Sequence, residues 1–232
     1  MVDQKNQIDI DDINRSEWQK SWDEVSLAKK LGNDQLVNQN SGCVEWYTPK
    51  WITDLCAELM GGIDLDPASC EVANKFVGAK NFYTKEDDGL HKDWFGNVFM
   101  NHPFGKPEVA CKRSKSEPSK FLCNKERCKS RGYHNESYVP GNADWINKLV
   151  NEYENDHFRR GCALTFASTS EGWFKPLYQF PHCWLYDRVN FIDASGNEIK
   201  GAPKGCVISF PGIEIQKIHK LFSKYGHVEQ GV

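Results

Sequence analysis

Asn101-His102-Pro103-Phe104 closes the apolar run Val98-Phe99-Met100 and gathers groups suited to a flat ring bearing an exocyclic amine. Such an amine is a poor nucleophile, because its lone pair is delocalised into the ring. Two adjacent acceptors, the Asn101 side-chain oxygen and the His102 backbone carbonyl, would take both amino hydrogens and favour a pyramidal nitrogen. Pro103 would stiffen the loop, and Phe104 would stack on the ring. No general base has to act first, since the proton can leave after the amine has reacted. Taken alone, the tetrapeptide also suits a plain turn at a strand end, so its meaning depends on its neighbours.

A second cluster suits metal. Cys111, Cys123, Cys128 and His134 are spaced Cys-x11-Cys-x4-Cys-x5-His, enough for three thiolates and one imidazole around a tetrahedral zinc. The segment has little apolar material for a core of its own, and zinc would supply the missing folding energy. It also concentrates charge: eight cations, among them Lys125, Arg127, Lys129 and Arg131, face two carboxylates between Cys111 and His134, a local balance of +6. That patch would meet DNA phosphates. The other cysteines, Cys43, Cys56, Cys70, Cys162, Cys183 and Cys206, mostly lie in apolar runs and read as small core residues.

The elements that must hold these groups read as an α/β chain. Residues 1–42 are polar and acidic, with one possible short helix around Arg15 to Leu31, and form a loosely attached extension. Pro49 opens a helix carrying Ile52, Leu55, Cys56 and Leu59, and Gly61-Gly62 ends it. A strand at Ile63 to Leu65 runs into the turn Asp66-Pro67-Ala68-Ser69, where Ser69 is placed to cap a helix through Val77. The strand Val98 to Met100 meets the candidate loop, and a basic, Cys-rich insertion spans about residues 106–142. Then follow a helix with Trp145, Ile146, Leu149 and Val150, a strand at Cys162 to Phe166, and a helix from Ser170 to Leu177. Strands at Cys183 to Tyr186, Val189 to Ile192 and Cys206 to Phe210 precede a last helix, Ile215 to Tyr225. This alternation predicts one domain over residues 43–232, an open, mainly parallel sheet with helices on both faces and ligand sites beyond the carboxyl ends of its strands.

Asn101-His102-Pro103-Phe104 resembles motif IV of the amino-methyltransferases. Around it, Trp46-Tyr47-Thr48-Pro49, Ile63 to Ser69, Asp88-Gly89-Leu90 and Trp94 to Asn101 resemble, in that order, the phage-type DNA N6-adenine methyltransferases, the Dam family of phages and prophages. Thr169 to Phe174, Arg188 with Phe191, and the strand ending at Phe210-Pro211-Gly212 extend the likeness, which covers about Glu45 to Gly212. The resemblance implies a Rossmann-like fold and methyl transfer from S-adenosylmethionine to adenine N6. It also implies that Tyr47, Thr48, Pro49, Asp66, Pro67, Ala68 and Ser69 line the cofactor pocket, with Asp88 nearby. Two positions depart from the family pattern: His102 stands where Pro is usual, and the first turn has no Gly-rich loop.

Composition sets the limits. With 39% apolar residues, eight Trp and thirteen Phe, the chain can build a sizeable core. No apolar run is long enough to span a bilayer, and the start is not a greasy export signal, so a cytoplasmic protein is expected, in the host cell if phage-encoded. The net charge of −3 confines any attraction for DNA to a local patch. Cytosine N4 methylation needs the same acceptors, protein-glutamine methylation uses an analogous loop, and a non-catalytic DNA-binding protein could keep the fold. No target-reading element is evident, which suggests a short or relaxed recognition site.

Overall fold

The computed structural model describes residues 46–111, 125, 126, 128 and 134–232. The expected N-terminal extension and its short helix lie outside the described residues. The chain from Trp46 enters helix α1, Lys50–Met60, behind Pro49, whose extended φ of −64° suits the residue before a helix. Gly61 ends α1 at φ 79°, a left-handed conformation that costs glycine little, and its N–H bonds to Ala57 O. Strand β1, Leu65–Asp66, follows, then helix α2, Glu71–Val77, and strand β2, Asn81–Phe82.

Strand β3, Gly96–Met100, leads through the candidate loop and the insertion to helix α3, Asn142–Glu154. Strand β4, Phe158–Phe166, is followed by a 3-10 helix, Gly172–Gln179, and strand β5, His182–Leu185. Strands β6, Phe191–Ile192, and β7, Glu198–Ile199, precede β8, Cys206–Ser209, helix α4, Ile215–Phe222, and β9, Gly226–Glu229.

Among the described residues, seven strands form one sheet in the order β2-β1-β3-β4-β8-β5-β9. The pairs β2-β1, β1-β3 and β3-β4 are parallel, whereas β8 runs against both β4 and β5, and β9 runs against β5. Five strands therefore share one direction and two oppose it. The sequence hid this, because a buried apolar strand such as Cys206–Ser209 reads alike in either direction.

Alternation along the strands divides the core in two. Phe99, Cys162, Leu164 and Ile208 join α1 and α4, while Val98, Met100, Ala163 and Val207 join Trp145, Ile146 and Leu149 of α3. Helices thus cover both faces of the sheet, the expected α/β sandwich.

Three local expectations need correction. Cys70, not Ser69, caps α2: its Sγ accepts from the Ala73 N–H at 3.4 Å. The expected strand Val189 to Ile192 is shorter and leaves the main sheet. Phe191–Ile192 pairs with Glu198–Ile199 in a separate hairpin, turned by Asp193, whose Oδ1 accepts from the N–H groups of Ser195 and Asn197 at 2.8 and 2.9 Å. The segment after Ser170 is a 3-10 helix carrying Pro176 inside it, where a missing N–H weakens the α-helical pattern.

Candidate active site

After β1 the chain passes to β2 on one side and then returns to β3 on the other. Helix α2 contributes Val77 to the apolar cluster on one face, and α3, which follows β3, contributes to the cluster on the opposite face. The strand order therefore reverses between β1 and β3, where an open α/β sheet leaves a crevice beyond its carboxyl edge. Leu65 pairs with Val98 across that junction, so Asp66 and Asn101 leave the sheet on its two sides.

Asn101 is fixed by one end of its amide. Its Nδ2 donates to Trp46 O at 2.9 Å, while its buried Oδ1 has no hydrogen-bond partner. An acceptor buried without a donor is costly, and such a group in a native site calls for an explanation. A ligand N–H would satisfy it.

His102 turns inward. Its ring is buried, lies 6.3 Å from Trp145 in a stacked arrangement and meets Phe104 edge-on at 5.3 Å. Nε2 bonds Asn142 Oδ1 at 3.1 Å. Burial pushes the imidazole down to about 4, against the opposing effect of that hydrogen bond, so the ring is neutral at physiological pH. The departure from Pro thus gives the loop a second anchor, replacing ring rigidity with a buried hydrogen bond.

Asn142 does more for this loop than its place in a polar stretch suggested. Its Oδ1 also accepts from Gly105 N–H at 3.0 Å, and its own N–H donates to Gly105 O at 2.9 Å. Beside it, Gly141 packs so closely that an added Cβ would lie 2.4 Å from Pro107 N. Asp144 fixes the start of α3, its Oδ2 accepting from Gly141 N–H at 2.7 Å and Tyr138 Oη–H at 2.9 Å. Pro103 is exposed, whereas half-buried Phe104 packs 4.3 Å from Phe166 and 6.3 Å from Phe191.

The two segments expected to hold a cofactor are joined. Tyr47 is buried, exchanges backbone hydrogen bonds with Ile192 at 2.8 and 2.9 Å, and its Oη accepts from Cys70 Sγ at 3.5 Å. Thr48 and Pro49 are buried beside it. Asp66 is also buried, and burial pushes its carboxyl up to about 7, only partly offset by the Ala68 N–H that donates to Oδ1 at 3.2 Å and by the Ser69 hydroxyl. Pro67 is buried, and Ala68 and Ser69 are half-buried. The hydroxyl of Thr48 is buried without a hydrogen-bond partner. An orphaned hydroxyl and a desolvated carboxyl with a serine hydroxyl beside it form a polar set that fits a ligand with hydroxyl and amino groups.

Asp88 has a different setting. It is exposed, adopts a left-handed φ of 56°, and its Oδ2 lies 2.7 Å from His91 Nδ1. The adjacent Gly89 supports the first turn from behind: a Cβ there would lie 1.9 Å from Pro67 O, and its carbonyl accepts from Trp94 Nε1 at 2.8 Å. Only glycine permits that approach.

The insertion rises from the candidate loop. Glu108 and Val139 form an antiparallel bridge, and Cys111 N–H donates to Asn135 O at 2.9 Å. Ligand atoms of Cys111, Cys128 and His134 lie within 4.8 Å of one another, and the two sulfurs are 3.4 Å apart. Two thiolates on a tetrahedral zinc sit about 3.8 Å apart at ordinary Zn–S lengths, close to this arrangement. Cys123, the fourth expected ligand, lies outside the described residues, as do Arg127, Lys129 and Arg131. Lys125 is exposed, with its Nζ 3.4 Å from Val109 O. Among the described residues, no helix is long and apolar enough to cross a membrane.

No curated protein and no solved structure matches the chain. The family described as DNA N-6-adenine-methyltransferase (Dam) matches residues 39–224, which include both joined segments, the loop at Asn101 and the insertion. With most of its length matched, and with an unpartnered amide oxygen at the carboxyl edge of its sheet, this chain belongs to the DNA N-6-adenine-methyltransferase (Dam) family.

Proposed function

We propose that the protein methylates adenine N6 in DNA with S-adenosylmethionine as donor, using the loop Asn101-His102-Pro103-Phe104. The observation that carries this reading is the divided amide of Asn101: one end is anchored to Trp46 O, and the buried oxygen is left to accept. When bound, S-adenosylmethionine supplies an electrophilic methyl group on a sulfonium. Tyr47 to Pro49 and Asp66 to Ser69 would hold it, with Asp66 and the hydroxyls of Thr48 and Ser69 meeting its polar groups.

The target base would be flipped from the duplex, since an amine within the helix cannot reach a crevice at the end of a sheet. Asn101 Oδ1 would accept one amino hydrogen and the His102 carbonyl the other, directing the nitrogen lone pair toward the methyl. Phe104 would support the face of the base from its place on Phe166. The His102 ring takes no proton, being buried and neutral, so the surplus proton of the amine would leave to water.

Cys111, Cys128 and His134, with Cys123 as fourth ligand, would hold a structural zinc. Lys125, Arg127, Lys129 and Arg131 would then meet the DNA backbone. Zinc closed by four protein ligands has no open position for substrate, so it would shape the insertion and take no part in transfer.

Incubating the purified protein with DNA and methyl-labelled S-adenosylmethionine, followed by mass spectrometry of the nucleosides, tests the proposal. N6-methyladenine supports it. N4-methylcytosine would assign the same loop to the rival base, and unlabelled DNA would refute the enzymatic reading.

A further inference from the structure

The carboxyl edge of the sheet carries a second concave feature besides the crevice between β1 and β3. Beyond the end of β4 and the start of β8, an open depression of about 380 Å³ is lined by Ser168, Thr169, Ser170, Glu171, Arg188 and Lys204, among others. It adjoins the candidate loop through aromatic contact. Lys204 Nζ lies 6.0 Å from the centre of the Phe166 ring, and that ring packs 4.3 Å from Phe104.

The lining suits an anion. Two cations outnumber the single carboxylate of Glu171, and both are exposed. Arg188 is oriented beforehand, because its Nη1 donates to Ala202 O at 3.2 Å. The Ser168 to Glu171 turn is closed by Glu171 N–H donating to Ser168 O at 2.9 Å, and Tyr178 Oη–H donates to Thr169 O at 3.2 Å.

We infer that this depression binds the backbone phosphates of the target DNA strand that flank the flipped nucleotide, Arg188 and Lys204 each contacting one. The inference rests on the proposed DNA substrate. A flipped base leaves its flanking phosphates displaced from the duplex, and they need partners fixed close to the base pocket. The basic insertion follows Phe104 on the chain, and this depression adjoins Phe104 through Phe166, so both segments would supply cationic contacts to the strand that carries the extruded base.

The test is anisotropy of a short fluorescent duplex of mixed sequence across a salt series, for the parent, Lys204→Gln, Arg188→Lys, and the double variant Arg188→Gln/Lys204→Gln. S-adenosylmethionine affinity, measured by calorimetry, reports whether each variant is folded. Each lost phosphate contact should reduce the slope of log affinity against log salt by about one, so the double variant should lose about two. Arg188→Lys, which keeps the charge, should keep the slope. Should Arg188→Gln disturb the fold through its bond to Ala202, Lys204→Gln alone must still lose about one unit of slope. A parental slope and affinity in folded variants, while the parent binds and methylates DNA, would overturn the inference. A parent that shows no salt-dependent DNA binding would remove the DNA reading itself, and the inference with it.

Discussion

His102 Nε2 and Asn142 Oδ1 lie 3.1 Å apart, and the same oxygen takes the Gly105 N–H at 3.0 Å, so one side chain at the start of α3 ties down both halves of the candidate loop. The acceptors at Asn101 and His102 can be preorganised only if this buried connection holds. Asn142→Ala would leave the His102 donor unsatisfied, a loss worth about 1–3 kcal/mol at a buried site, and hand the exposed Gly105 N–H to water. We expect kcat to fall by about tenfold with little change in S-adenosylmethionine affinity, because the loss acts on loop geometry. Asn142→Asp, which keeps an acceptor, should retain more activity. Unchanged kcat in Asn142→Ala would show that the loop is held by other contacts.

Asp66 links pH to both stability and binding. Its folded-state value, about 7, exceeds its ordinary 3.8, because burial disfavours the charge. The folded protein therefore holds more protons than the unfolded chain between these values, and stability is lost as pH rises through about 7. Asp66→Asn removes that penalty. At pH above 7 the unliganded variant should melt several degrees higher than the parent, at roughly 2–4 °C per kcal/mol for a chain of this size. It should also bind S-adenosylmethionine more weakly. Thermal scans and calorimetry check both, and a variant destabilised at high pH would contradict the burial argument.

Metal removal should affect the insertion selectively. Purified protein, prepared without a metal-affinity tag, should contain about one zinc per chain, the number that a single closed tetrahedral site holds. Cys111→Ser with Cys128→Ser should abolish it. Chelation should weaken DNA binding while calorimetry still detects S-adenosylmethionine binding, since Asp66 and Tyr47 lie in the sheet domain rather than the insertion. Zinc content near zero in the parent would refute the assignment.

Much of this was readable from the chain, for identifiable reasons. The apolar run Val98-Phe99-Met100 followed by Asn101 marks a buried strand stopping at a polar loop, and Pro49 and Gly61 mark the ends of α1. What stayed hidden depends on contacts between distant residues. Asn142 lies 40 positions from His102, and nothing near it in sequence signals the bond. Gly89 matters because Pro67 O lies against it, a packing relation with no local signature. Cys70 displaced Ser69 as the cap by one position, since local sequence fixes a helix start only to within a residue or two, and the Ser69 hydroxyl serves Asp66 instead. The reversed direction of β8 was hidden because hydrophobic pattern reports burial, not direction, and β9, only four residues with two of them buried, was not expected after the last helix.

The most direct test of the central claim compares the parent with Asn101→Ala for methyl transfer from S-adenosylmethionine to DNA, with the product identified as a nucleoside. The account predicts N6-methyladenine from the parent. It predicts a loss of at least about a hundredfold in kcat for Asn101→Ala, the usual effect of removing a group that acts mainly on the reacting centre, with cofactor binding nearly intact. Turnover in Asn101→Ala within about threefold of the parent, far short of that effect, would contradict the role assigned to its unpartnered oxygen.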